Sequence, residues 1–142
     1  MSLFGKLFGN RNKNDEITRI RKIIEKFVEV SFLGLTHLDK RNPDKGKIIL
    51  LYMFGALDML CQVNNLDENT TLALFKNILK EELGEYTDEQ SQVLLNEIVQ
   101  ASDEQEGQEL MKEGGDALRT WLIGEDVASP HRLTEILMER TP

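Results

Sequence analysis

The chain has 142 residues, 40% hydrophobic and 30% charged, enough for one globular domain around a single core. Its net charge of −8 divides unevenly: residues 1–47 carry 11 Lys and Arg against 6 Asp and Glu, whereas residues 48–142 carry 6 against 19. So acidic a body repels phosphate backbones, which argues against general nucleic-acid binding, and a single cysteine, Cys61, rules out an internal disulfide.

The first residues, Met1 to Gly9, have neither a long apolar stretch nor an Ala-x-Ala site, so no secretory signal is expected and the expected location is cytoplasmic. Leu3, Phe4, Leu7 and Phe8 form a small apolar cluster close to Lys6, Arg11 and Lys13. Residues 1–13 therefore read as an N-terminal apolar and basic segment, and 14–142 as the helical domain. The four apolar residues could meet a membrane surface, which so short a segment binds only weakly, dock on a partner, or fold back on the protein's own core.

A first helix is expected from Asn14 or Asp15, because Ile17, Ile20, Ile24, Phe27, Val28, Ser31, Leu35 and Leu38 recur at three- and four-residue spacing. Arg21 and Glu25 lie one turn apart on its outer face. The break falls at Asp39-Lys40-Arg41-Asn42-Pro43, with Asn42 as cap and Pro43 as first helical residue. The next helix runs to about Val63 and is apolar on nearly every face from Ile48 onward, which belongs in the middle of a bundle. Its apolar run is short of a membrane span and carries Asp58.

Asp67 is expected to cap a third helix, Glu68 to Leu83, with Leu72, Phe75, Leu79 and Leu83 inward and Gly84 as its stop. Thr87 with Gln90 is a capping-box pair for a fourth helix packing Leu94, Ile98 and Ala101, and Ser102 with Gln105 repeats the pattern for a fifth. That fifth helix should stop at Gly124. Gly114-Gly115 within it reads as a close approach of a neighbouring backbone, the alternative being a break. Ser129-Pro130 opens a short last helix through Leu133, Ile136 and Leu137. The expected fold is an all-α, single-domain bundle of about six helices.

Few residues suggest chemistry. Asn65, Asp67, Asn69 and Thr71 alternate as early calcium-loop ligands do, but Thr70 stands where glycine should and Lys76 where the closing glutamate should, so no metal is expected. His37 and His131 are far apart and have no carboxylate or cysteine at ligand spacing, and no HExxH, GxSxG or phosphate-binding loop is present. No cofactor and no enzymatic activity are expected. Asp58 is the carboxylate of interest: on an apolar helix it must be paired, hydrogen-bonded, protonated or turned to water, and the first helix offers candidate partners. Glu104, Glu106, Glu109 and Glu113 could form an acidic patch facing a basic partner, or simply a solvated helix exterior.

The order of signals from Ile48 to Ile98 resembles the TerB-like helical domains associated with tellurite resistance and bacterial stress. The likeness rests on the apolar helix, the turn ending Leu66-Asp67-Glu68, the helix ending Glu81-Glu82-Leu83-Gly84, and Thr87-Asp88-Glu89-Gln90 opening the next. Where that family's turn commonly carries Ala-Asp-Gly, this chain has Val63-Asn64-Asn65, so no metal or acidic site is carried over. The resemblance implies an all-helical accessory module that works through partners, often near the membrane. The leading expectation is thus a non-enzymatic binding or regulatory module with a protein partner, weak contact with a membrane surface through the N-terminus and a homodimer as a further option. Its competitors are an acidic inhibitor or immunity-type protein, and a ligand-binding protein or enzyme centred on Asp58.

Overall fold

Residues 13–35, 43–81, 87–124 and 131–140 are described by a computed structural model. Among them are six α-helices and no strand: α1 Lys13–Ser31, α2 Pro43–Val63, α3 Glu68–Glu81, α4 Asp88–Ala101, α5 Gln105–Leu122 and α6 Arg132–Arg140. A 3-10 turn, Phe32–Gly34, follows α1. The fold is an all-α bundle.

The composition of α2 dictates its place. From Ile48 to Leu57 every side chain is buried, as are Leu60 and Cys61, and the helix packs against all five others. Each such fully buried aliphatic or aromatic side chain contributes about 1.5–3 kcal/mol relative to exposure. Asp44–Val63 is long and apolar enough to cross a membrane by length and composition, so length alone does not distinguish it from a spanning helix. What distinguishes it is the covering of its faces by the rest of the bundle.

The most extensive helix pair is α2 with α5, and its closeness is written in glycines. A Cβ on Gly114 would collide with the Tyr52 carbonyl oxygen, and one on Gly55 with the backbone of Met111. Each helix thus offers a bare backbone where the other's main chain passes, and α5 runs unbroken through Gly114-Gly115. The helix-propensity cost of about 1 kcal/mol per glycine is offset by this contact. Gly107 does the same at the other end of α5, where a Cβ would meet the Ala101 carbonyl oxygen of α4. Two aromatic groups tie α1 and α3 to α2. Phe27 of α1 stacks on Tyr52 at 6.0 Å and meets Trp121 of α5 at 5.7 Å, while Phe54 meets Phe75 of α3 at 5.0 Å.

The helix ends follow local chemistry. Asp67 caps α3 by accepting the Thr70 backbone N–H at 2.7 Å. Thr87 and Gln90 form both bonds of the capping box, at 3.1 and 2.9 Å. Asn65 takes the left-handed conformation with φ 59°, and Gly124 does so after α5 with φ 77°.

Three expectations are corrected. The first helix does not continue to Leu38: α1 ends at Ser31, and the chain tightens into the 3-10 turn before Leu35 becomes extended. Gly34, a poor helix former, sits in that turn, so the apolar spacing outlasts the helix. Ser102 does not cap α5, since its hydroxyl donates back to the Val99 carbonyl at 2.6 Å and Glu104 stands at the N-cap without a side-chain bond. A backbone acceptor one turn behind outcompeted the forward capping bond. Finally, the inner stripe of α3 is Thr71, Leu74, Phe75, Ile78 and Leu79, with Leu72 only partly buried. Asn42, Leu83, Gly84 and Ser129-Pro130 lie outside the described residues.

Candidate functional site

Near its C-terminal end α2 emerges from the core, and the side chains change accordingly. Asp58 and Met59 are half-buried between the buried Leu57 and the buried Leu60-Cys61 pair, and Gln62, just after it, is exposed. Gln62 follows Asp58 by one helical turn, which brings its amide to the carboxylate: Nε2 donates to Oδ2 at 2.7 Å. The partner is therefore on Asp58's own helix, and of the alternatives open to this carboxylate it is hydrogen bonding that the structure has. Burial raises the Asp58 carboxyl above its ordinary range, the Gln62 bond opposes this, and the nearby Glu68 carboxylate adds to the rise. Among the described residues no Lys, Arg or His pairs with Asp58.

Two clefts meet at this point. The first, about 250 Å³, follows the seam of α2 and α5, where Gly55 and Gly115 form the wall and Met59 and Met111 lie alongside. Lys112, Asp116 and Arg119 stand at its rim, with Arg119 and Asp116 within 3.8 Å of each other. The second, about 320 Å³, lies between α2, the turn before α3 and the end of α4. Phe54, Leu66, Val99 and Met111 supply its apolar surface, and Asp58, Glu68, Thr71 and Ser102 its polar groups. Asp58, Gln62 and Met111 line both. The arrangement is an apolar trough with a hydrogen-bonded carboxylate on its dividing wall.

The other candidates separate from this site. His131 is exposed at the start of α6 and lines neither cleft, and His37 lies outside the described residues, so the structure does not bring His131 to Asp58. Of the acidic patch, Glu104, Glu106 and Glu109 are exposed on the early turns of α5. Glu113 is not a free member of it: Arg132 reaches from α6 with Nε at 3.1 Å and Nη2 at 3.5 Å. Those bonds pin α6 to α5, and the same guanidinium also donates to Glu135 and Glu139 of its own helix, at 3.0 and 3.2 Å. Asp67 is occupied as a helix cap. Cys61 is fully buried, and burial pushes its thiol up against the opposing bond from Thr71. Tyr52 is buried with its hydroxyl unpartnered among the described residues, and desolvation, then Glu113, raise it. Leu3, Phe4, Leu7 and Phe8 lie outside the described residues.

Sequence reasoning singled out Asp58 but not Glu68, Val99, Met59 or Met111 as its surroundings. Only the proximity along α2 of Met59 and Gln62 to Asp58 was available as a signal, because Glu68, Val99 and Met111 come from α3, α4 and α5. Comparison with protein-family models, curated proteins and solved structures finds no match for this chain.

Proposed function

We propose that the protein is a non-enzymatic helical binding module that acts through a protein partner, docked at the clefts around Asp58. The observation that carries this reading is the pair of clefts sharing the Asp58–Gln62–Met111 wall, at the end of a helix otherwise given over to the core. Methionine suits such a surface, since its unbranched, polarisable side chain adapts to whatever it meets. The group at hydrogen-bond distance from Asp58 is an amide, which orients the carboxylate but does not exchange a proton with it. A partner-directed role is also what the resemblance to TerB-like domains implies, in a bacterial stress setting and in the cytoplasm or at the membrane face. The acidic-inhibitor reading is less favoured because Arg132 already engages Glu113.

The test is site-specific photo-crosslinking in cells that make the protein, with the reactive residue at Gln62 and, as a control, at the exposed Thr18 of α1. A discrete protein adduct from position 62, absent from position 18, is expected. No discrete adduct from position 62, or the same adducts from both, would count against the module.

A further inference from the structure

The two clefts differ in charge, and the difference names an occupant. At the α2–α5 cleft the rim supplies its own cations, Lys112 and Arg119. The larger cleft has two carboxylates, Asp58 and Glu68, and neither Lys nor Arg among the residues that line it. Its apolar surface comes from Phe54, Leu66, Val99 and Met111, the first two almost fully buried. A partly apolar trough that also holds two acids suits a long methylene stem ending in a positive charge. Resting on the binding-module reading, we propose that the larger cleft receives an arginine side chain from the partner, its stem along Met111 and Leu66 and its guanidinium on Asp58 and Glu68.

Several features agree on this occupant. The cleft volume of about 320 Å³ admits an extended side chain rather than a folded domain edge. Burial and, after it, the Glu68 carboxylate raise the Asp58 carboxyl, and an incoming cation offsets the charge they place in the cleft. Gln62 holds Oδ2 from one side, which orients the carboxylate for a donor arriving from the other. Arginine fits better than lysine because its planar fork bridges two acceptors at once. The surrounding two thirds of the chain, residues 48–142, carries 6 Lys and Arg against 19 Asp and Glu, so its field draws a basic segment toward the cleft.

The probe is Nα-acetyl-arginine N-methylamide, titrated into the full chain with labelled methionine methyls and followed by NMR at Met111 and the Gln62 side-chain amide. The neutral isostere, Nα-acetyl-citrulline N-methylamide, is the comparison. Saturable shifts with about tenfold tighter binding of the arginine derivative are expected, as for a charge-assisted bond against a neutral one. Asp58→Asn and Glu68→Gln, both conservative, should each narrow that ratio, and neither should lower the melting midpoint. Equal binding of the two derivatives, or shifts at Met59 without Met111, would overturn the proposal. If citrulline matches arginine yet position 62 still yields its protein adduct, the module stands and the basic side chain is wrong. If arginine binds but no adduct forms, the partner is wrong, and the proposal fails with it.

Discussion

Gly114 and Gly115 are neighbours in the middle of one helix, yet alanine should act very differently at the two. By helix propensity alone, either substitution would stabilise α5 by about 1 kcal/mol. At Gly114 the new Cβ runs into the Tyr52 carbonyl oxygen, which belongs to the backbone of α2 and cannot rotate aside. The helices must part, loosening the Phe27–Tyr52 stack, and overpacking of this kind costs about 1–3 kcal/mol, with a backbone obstacle placing it at the upper end. The net effect is a loss of about 2 kcal/mol, which for a chain of this size lowers the melting midpoint by roughly 6 °C. At Gly115 the nearest atom is the Met59 Cβ at 3.3 Å, which needs to yield by only a few tenths of an ångström, so the change should be close to neutral. Gly46, with nothing within 4 Å of its Cβ position, is the control, and Gly46→Ala should gain about 0.5–1 kcal/mol. Thermal and urea unfolding followed by far-UV circular dichroism should rank Gly46→Ala highest, Gly115→Ala near the parent and Gly114→Ala lowest. Equal midpoints for the adjacent pair would refute the close α2–α5 approach.

Thr87→Ala removes one bond of the capping box and leaves the Gln90 N–H unpaired, so it should cost about 1 kcal/mol in urea unfolding. The Asp58 carboxyl titrates above its unfolded value, so the folded state holds that proton more tightly. Stability from this group is full below the ordinary carboxylate range and is lost as pH rises through the raised folded value. Asp58→Asn should therefore raise the melting midpoint at pH 7 relative to the parent and lose that advantage at pH 3, and an advantage equal at both pH values would contradict the burial. Cys61, fully buried with its thiol pushed up, should react with a thiol reagent only when the chain unfolds, its labelling rate rising steeply across the denaturant transition. Fast labelling of the native protein would place α2 outside the core.

What could be read from the sequence divides along the range of the forces involved. The caps at Asp67 and Thr87 and the stop at Gly124 depend on bonds or backbone freedom within a few residues, and the structure has each where the sequence indicated. The central position of α2 follows from an apolar run too complete to face water. Gly114-Gly115 could be read as a contact, but the opposing Gly55 and the Tyr52 carbonyl could not, since they lie some sixty residues away. The end of α1 was misplaced because apolar spacing continues past Ser31 while backbone preference at Gly34 does not. Ser102 was misplaced because one hydroxyl has two acceptable bonds, and sequence spacing shows only one of them. At the candidate site, Asp58 stood out as a charge on an apolar helix. Its setting did not, because Glu68, Val99, Ser102 and Met111 reach it only through the packing of α3, α4 and α5. Glu113 looked like part of an exposed acidic face until Arg132, nineteen residues on, folded back onto it.

The claim that a protein partner docks at the Asp58 wall is tested most directly by blocking the larger cleft and reading the crosslink. Ser102 lines that cleft and is half-buried, so Ser102→Phe puts a ring into it from the end of α4 while leaving Asp58 and Gln62 unsubstituted. The measurement is the yield of the position-62 protein adduct in this variant, with the melting curve confirming an intact fold. A yield reduced to that of position 18 is predicted, and an undiminished yield would contradict the account.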